Sequence, residues 1–404
     1  MYRLIALALA MGGTQAVAAS LEPLLPGCPY VETHELATLT PNSSRYQRFV
    51  TMVYRPDGRP VIAYAGGTSS EQSLHLILCD DVACTSRTDR ELDTVFGYAA
   101  APGLVLTSDG RPLLFADRFG TLRYYECHDT QCASFTPRTI ESSIQGFARA
   151  MIMLPQDKPV MIYSTRNAGP SNWDIVARTC TSTSCESSDL TTIHDVDPSG
   201  DFFTGAATSA IDQSGMLALA FIQGNNTTAN NVMRVLRCTN ADCSTSTVNT
   251  VSTPQSNSHP ERSSLQILAD DRPLVFDGQT GAVATRWDGL VECADAACNS
   301  ALPTPLTVTD ATYNAGLILL DDTRPLIASF AANQVGFHVC DDLDCSTSST
   351  YWAASGVSPS GLESMLSRSP EGRPHLLYFD GDGTKLNALT CAPITVFAQG
   401  FESP

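Results

Sequence analysis

The sequence predicts an all-β fold: a seven-bladed β-propeller of four-stranded blades, the last closed by the N-terminal strand. Three observations carry this: a cysteine spacing that repeats, a hairpin signal that repeats with it, and one leftover cysteine near each end of the chain. Twelve of the fourteen cysteines fall into C-x4-C pairs, namely Cys79/Cys84, Cys127/Cys132, Cys180/Cys185, Cys238/Cys243, Cys293/Cys298 and Cys340/Cys345. Successive first members lie 48, 53, 58, 55 and 47 residues apart. Periods of this length signal propellers or solenoids.

Upstream of each pair stands a turn followed by proline. It reads Asp57-Gly58-Arg59-Pro60, Asp109-Gly110-Arg111-Pro112, Gln156-Asp157-Lys158-Pro159, Asp270-Asp271-Arg272-Pro273, Asp322-Thr323-Arg324-Pro325 and Glu371-Gly372-Arg373-Pro374, with a degenerate copy at Gln213-Ser214-Gly215. Asp-Gly between apolar runs is a strong hairpin signal, and the expected turn holds both residues at positive φ. Proline then suits the first residue of the next strand, where a missing N–H matters least. The first unit divides into Phe49–Arg55, Val61–Ala65, Leu74–Cys79 and a fourth strand running from Cys84. Alternation in Val61-Ile62-Ala63-Tyr64 and Leu74-His75-Leu76-Ile77-Leu78 favours strands over helices. Four short strands in about 50 residues is the composition of a propeller blade.

Counting the hairpins gives seven units against six complete cysteine pairs. Cys391 stands where a first cysteine belongs, 51 residues after Cys340, and lacks a partner downstream. Cys28 is followed by Pro29-Tyr30-Val31-Glu32-Thr33, which resembles the stretch after the second cysteine elsewhere. A Cys28–Cys391 bond that locks the ring is therefore expected. The local pairs read as hairpin disulfides, since facing strands hold Cα atoms about 4.5–5.5 Å apart, inside the disulfide window. Asp81, Asp129, Ser182, Asn240, Asp295 and Asp342 share one place in the intervening turn, where a short polar side chain caps the bend. Zinc and redox sites favour C-x2-C spacing and, for zinc, two pairs brought together, which separate blades would prevent.

The first residues read as a secretory leader, residues 1–19, with Arg3, the apolar run Leu4–Met11 and the small-residue site Ala16-Val17-Ala18. The expected division is then a propeller over 20–395 and a tail over 396–404. The apolar run is too short to span a bilayer. The address is secreted or periplasmic, where thiols pair. Net charge is −18, which argues against nucleic acid or anionic lipid as partner. A monomer without cofactor is expected.

Propeller topology puts the strand 1–2 and 3–4 turns on one face, and the strand 2–3 and blade-to-blade connections on the other. The variable segments Ser164–Trp173, Ile222–Asn231 and Asp277–Trp287 belong to the second face, and variable loops on a repeat scaffold are where binding resides. Segments leading into the innermost strands carry Tyr46, Tyr98, Phe147, Phe202, Phe203 and Tyr313, joined by Arg48, Arg149, His259, Glu261 and Arg262. Such a rim over a central pocket suits a glycan or protein ligand. Packing of these aromatics between blades is the competing account. Asp195, Asp197 and Asp201 have the oxygen spacing that opens a calcium loop, but Ala206 stands where its bidentate acid belongs. Asp380-Gly381-Asp382-Gly383 is a shorter version. Enzyme signatures are sparse: H-E-x-x-H, G-x-S-x-G and a phosphate-binding loop are absent. Glu261 and Glu363 could form a carboxylate pair for glycoside hydrolysis. The sequence thus favours a non-catalytic binding module, with a polysaccharide hydrolase or lyase as the alternative.

The repeat resembles that of exported bacterial proteins whose units run Asp-Gly-x-Pro-x-Ile-x-Tyr and then Leu-x-x-x-x-Cys-x-x-x-x-Cys; the nearest copy runs from Asp57 through Tyr64 to Leu74 and Cys84. The ending Val396–Ser403 looks like a Gly-Phe-Glu tail of exported proteins. The resemblance implies a propeller and an extracytoplasmic address, and carries no catalytic residue.

Overall fold

The computed structural model describes residues 28, 30–39, 49–67, 72–95, 102–118, 120–142, 148–166, 173–196, 202–203, 208–224, 232–241, 243–253, 258–281, 288–306, 313–320, 324–331, 333–355, 365–380 and 384–392. They form a seven-bladed propeller without a helix. Blade one is Phe49–Tyr54, Pro60–Gly67, Gln72–Cys79 and Arg87–Val95; blade two is Gly103–Leu106, Pro112–Arg118, Thr121–Cys127 and Phe135–Ser142. Blade three is Ala148–Leu154, Lys158–Arg166, Trp173–Cys180 and Ser188–Val196. In blade four Phe202–Phe203 and Thr208–Ile211 share the inner position, followed by Leu217–Gly224, Val232–Cys238 and Ser246–Ser252. Blade five is Ser258–Ile267, Pro273–Gly281, Asp288–Cys293 and Ala301–Pro305; blade six is Tyr313–Leu320, Arg324–Ala331, Gln334–Cys340 and Ser348–Ser355. Blade seven takes Met365–Arg368, Pro374–Phe379 and Lys385–Ala392 from the C-terminal part and Tyr30–Thr38 from the N-terminal part.

Each sheet is too narrow to bury itself, so the apolar residues of one blade meet those of the next. Seven apolar clusters result, one at every blade junction. The cluster of Leu36, Val50, Ile62, Tyr64 and Leu377 joins blade seven to blade one and closes the ring. Cys28 and Cys391 are bonded with Cα atoms 5.3 Å apart, and Val31 pairs with Cys391 in the ladder. Arg87 of blade one holds the borrowed strand from outside, its guanidinium donating to the carbonyls of Glu35 and Leu36.

All six hairpin disulfides form as paired in the sequence, with Cα separations of 4.8–4.9 Å. The placement of their second members corrects the expected one. Cys84, Cys132, Cys185, Cys243, Cys298 and Cys345 do not open the fourth strands but lie inside the loops. Those strands start three residues later, at Arg87, Phe135, Ser188, Ser246, Ala301 and Ser348. The ladder shows why: Cys79 pairs with Arg87, Cys180 with Ser188, Cys238 with Ser246 and Cys293 with Ala301, so no second cysteine faces its partner across the sheet. Each instead has positive φ: 59° at Cys84, 46° at Cys132, 49° at Cys185, 54° at Cys243, 58° at Cys298 and 56° at Cys345. The bond closes the loop because the chain there turns left-handed.

Asp81 caps its loop, accepting from the backbone N–H of Thr85 at 3.0 Å and of Ser86 at 2.8 Å. Asp129, Asn240, Asp295 and Asp342 do the same in their blades. The stiffened loop is then gripped by the preceding blade: Arg90 donates to the Gln131 carbonyl, Asn249 to the Ala297 carbonyl, and Arg138 to Glu186.

The Asp-Gly turns also differ from expectation. In Arg55–Arg59 only Gly58 has positive φ, at 82°, and its N–H donates to the Arg55 carbonyl. This is a type I turn closed by a left-handed residue, which needs one positive φ rather than two. Aspartate takes that left-handed position in blades three and five, with φ of 55° at Asp157 and 64° at Asp271; in blade three Gln156 is left-handed as well, at 67°, so that turn does hold two positive φ values. Both reach back to the preceding blade. Asp157 accepts from the N–H and hydroxyl of Ser108, each at 2.7 Å, and Asp271 accepts from the N–H of Gln213 at 3.3 Å. Where the preceding turn has proline at the donating position, as at Pro56, Pro155 and Pro370, the next blade has Gly110, Gly215 and Gly58. Proline has no N–H to give, so a carboxylate there would have nothing to hold.

Candidate loop-face site

The inner and outer halves of each blade treat the two faces differently. On the hairpin face the described turns are short, and those of blades one, two, four, five and seven repeat one plan. Toward the opposite, loop-bearing face the inner strands become irregular. Blade three has a bulge at Arg149, between the pairs Ala148–Tyr163 and Ala150–Ile162. Blade five has one at Glu261, between Pro260–Gln279 and Arg262–Gly278. Blade six has one at Gly316, whose φ of 75° explains the glycine. In blade four Phe203 pairs with Gln223 and Thr208 with Ala220, so four residues intervene on one side against two on the other. Bulges bend a strand, interrupt pairing and re-aim side chains, and they gather near binding sites.

The same half of the blades carries buried polar side chains in strands that are otherwise apolar. Asp117, Ser164, Asp174, Gln223, Asp277 and Ser329 are at most 4% exposed. Burial of such groups is costly without partners, and all of them are engaged. Asp117 accepts from the N–H of Gly120, and Nε2 of His194 lies 3.3 Å from Oε1 of Gln223. These residues form a polar layer beneath the loops. Sequence reasoning passed over it; the available signal was a polar residue interrupting an apolar second strand, as Asp277 follows Leu274-Val275-Phe276.

Of the predicted rim, Arg149, His259, Glu261, Arg262 and Tyr313 lie in the opening parts of the inner strands of blades three, five and six. Tyr46, Arg48, Tyr98 and Phe147 fall outside the described residues, as does Glu363. Phe202 and Phe203 form the short inner strand of blade four, paired to Gly224 and Gln223. The fold thus sets the five described positions toward the same face.

Asp195 lies in the outer strand of blade three, opposite Asp174, while Asp197 and Asp201 are outside the described residues. Asp380 accepts from the backbone N–H of Lys385 and the hydroxyl of Thr384, closing its own turn. Among the described residues His338, Cys340 and Cys345 bring ligand-type atoms within 4.8 Å of one another. The two cysteines are bonded to each other, so neither offers a thiolate.

Every described carboxylate with a displaced pKa is displaced downward. The Arg59 guanidinium does this for Asp57, and the Thr107 hydroxyl for Asp109. A general acid needs the opposite shift.

Neither a protein-family model nor a curated relative matches the sequence. Solved structures match the fold. An ulvan lyase bound to -[GlcA(1-4)Rha3S]- superposes with a TM-score of 0.58 at 8% identity, covering 88% of this chain and 95% of that one. An α-L-arabinanase of Penicillium chrysogenum complexed with arabinobiose gives 0.51 at 11% identity, covering 89% and 98%. A Dyadobacter fermentans protein of unknown function gives 0.50 at 13% identity, covering 91% and 100%. At these identities the likeness is one of propeller architecture.

Proposed function

We propose that the protein is an exported carbohydrate-binding propeller that holds a glycan on its loop-bearing face without turning it over. The observation that carries this is the sorting of the two faces. The described hairpin-face turns are short and, in five blades, alike, whereas bulged inner strands and buried polar residues lie toward the other face. Seven disulfides fit an oxidising extracellular compartment, in keeping with a leader over residues 1–19. Carbohydrate is the favoured ligand class because the arabinanase and the ulvan lyase put this architecture to work on glycans. A glycan array probed with the mature protein tests the reading. Binding that weakens when Arg149 or Arg262 is replaced by Ala supports it, and an array without a hit overturns it.

One observation favours the hydrolase or lyase alternative: Glu261 is itself the bulged residue of its strand. A screen of common polysaccharides decides between them. Turnover that vanishes in Glu261→Gln or Glu363→Gln replaces the binding module by an enzyme.

A further inference from the structure

The hairpin face holds a cleft of about 260 Å³ between blades one and two, lined by Arg55, Pro56, Asp57, Arg59, Asp109, Gly110 and Thr130. Arg55 is the unusual member. It is 4% exposed, yet among the described residues its guanidinium makes one hydrogen bond, from Nη2 to the Thr130 carbonyl at 2.6 Å, and Nε is buried without an acceptor. Among the described residues no carboxylate lies within ion-pair distance of it: Asp57 is taken by Arg59, and Asp109 by Arg111 and Thr107. Asp57 and Asp80 act on it only from beyond that distance, and the Arg59 charge opposes them. A buried guanidinium without a contacting counter-charge is costly, and a guanidinium is built to take a carboxylate.

Where the equivalent turn position is polar in other blades, it is satisfied within its own blade. Blade four has Asp212 there, ion-paired with Arg237; blade two has Thr107 and blade seven Ser369, each bonded within its own turn. Only in blade one does this position carry an unpaired charge among the described turns. The junctions differ in parallel. Between blades two and three, and between four and five, the carboxylates of Asp157 and Asp271 bridge the two turns. Between blades one and two Pro56 has no N–H to offer and Gly110 has no side chain, so the space remains open.

We propose that this cleft is a carboxylate-binding site, in which a carboxylate of a small ligand, such as a sugar acid, takes the place filled at other junctions by an aspartate and pairs with Arg55. The site is separate from the loop-bearing face and does not depend on the glycan reading. Asp57 and Asp109 flank the opening and repel further negative charge, so the site takes a single small anionic group.

Titration of protein labelled with 15N-arginine tests this, following the Arg Nε–H resonances at constant ionic strength. Probes are sodium glucuronate, sodium acetate, sodium sulfate and glucose. Glucuronate is expected to shift one arginine resonance saturably, and glucose none. Acetate matching glucuronate identifies the carboxylate alone as the determinant, whereas weaker acetate binding shows that the sugar ring contributes. Arg55→Met should weaken glucuronate at least about 10-fold, and Arg55→Lys less. Gly110→Asp places the bridging carboxylate in the chain itself, at a φ of 84° in the same left-handed region as Asp157 and Asp271. It should abolish glucuronate binding while the protein stays folded. A wild type that fails to respond, sulfate binding more tightly than glucuronate, or unchanged binding in Arg55→Met or Gly110→Asp each overturns the proposal. Neutral-glycan binding on the opposite face should survive both variants.

Discussion

Replacing both Cys28 and Cys391 by serine removes the one cross-link that spans the ring, a bond between residues 363 positions apart. In the chain-entropy model, tying the ends of so long a loop restrains the unfolded chain by about 6 kcal/mol, against about 2 kcal/mol for a hairpin disulfide. The six hairpin bonds, each between cysteines five positions apart, shorten the long loop too little to change that figure. Native contacts do not compensate: the borrowed strand keeps its ladder to Lys385–Ala392, the Lys385–Glu35 ion pair and the Arg87 clasp in either variant. The assay is guanidinium unfolding at equilibrium, comparing Cys28→Ser/Cys391→Ser with Cys180→Ser/Cys185→Ser. The long-range variant should lose more stability by roughly 3–4 kcal/mol, with a steeper denaturant dependence because its unfolded chain expands further. Equal losses would refute the argument that ring closure resides in this bond. So would non-reducing peptide mapping that finds Cys28 joined elsewhere.

Asp157→Gly should destabilise by about 1–2 kcal/mol, since two charge-assisted bonds from Ser108 outweigh relief of the positive φ. Asp271→Gly, which gives up one 3.3 Å bond, should fall near neutrality in the same unfolding assay. Gly336→Ala should cost about 2–3 kcal/mol, because a Cβ there would meet the Tyr351 carbonyl oxygen at 1.9 Å; proteolysis should first appear in Ser348–Ser355. Burial lowers His338 to about 4, and burial with the nearby Arg373 charge lowers His375 to about 4, from 6.5 in a solvated histidine. The unfolded chain therefore takes up these protons first as pH falls. Stability is full above about pH 6.5 and declines toward pH 4, by up to about 3 kcal/mol per histidine. Urea midpoints at pH 7 and 4.5 should show the decline, and His375→Phe should reduce it.

The blade count and the closure were legible because disulfides and hairpin turns leave residue-specific marks at fixed spacing. A less obvious mark lies eight residues after each second cysteine, where an apolar residue stands: Leu92, Ile140, Ile193, Val251, Leu306 and Ala353, with Leu36 eight after Cys28. All but Leu306 are the bulged residue of an outer strand, turned into the core between blades. Leu306 follows its strand and packs into the neighbouring cluster. The spacing of Leu36 from Cys28 therefore marks the N-terminal segment as an outer strand.

The sequence by itself determined the architecture and the partner of every cysteine, since hairpin turns and cysteine pairs repeat at fixed spacing and leave one cysteine over near each end. Tertiary structure alone decided the rest. That Cys84, Cys185, Cys243 and Cys298 sit in left-handed loops rather than on strands comes from the register of each outer ladder, as between Cys79 and Arg87, which spacing leaves open. That Asp157 and Asp271 are bridges, and Gly110 the edge of a cleft, depends on which N–H the preceding blade presents. Residues some fifty positions apart meet there only once neighbouring blades have packed together, because a blade finds its hydrogen-bond partners and its core in its neighbour.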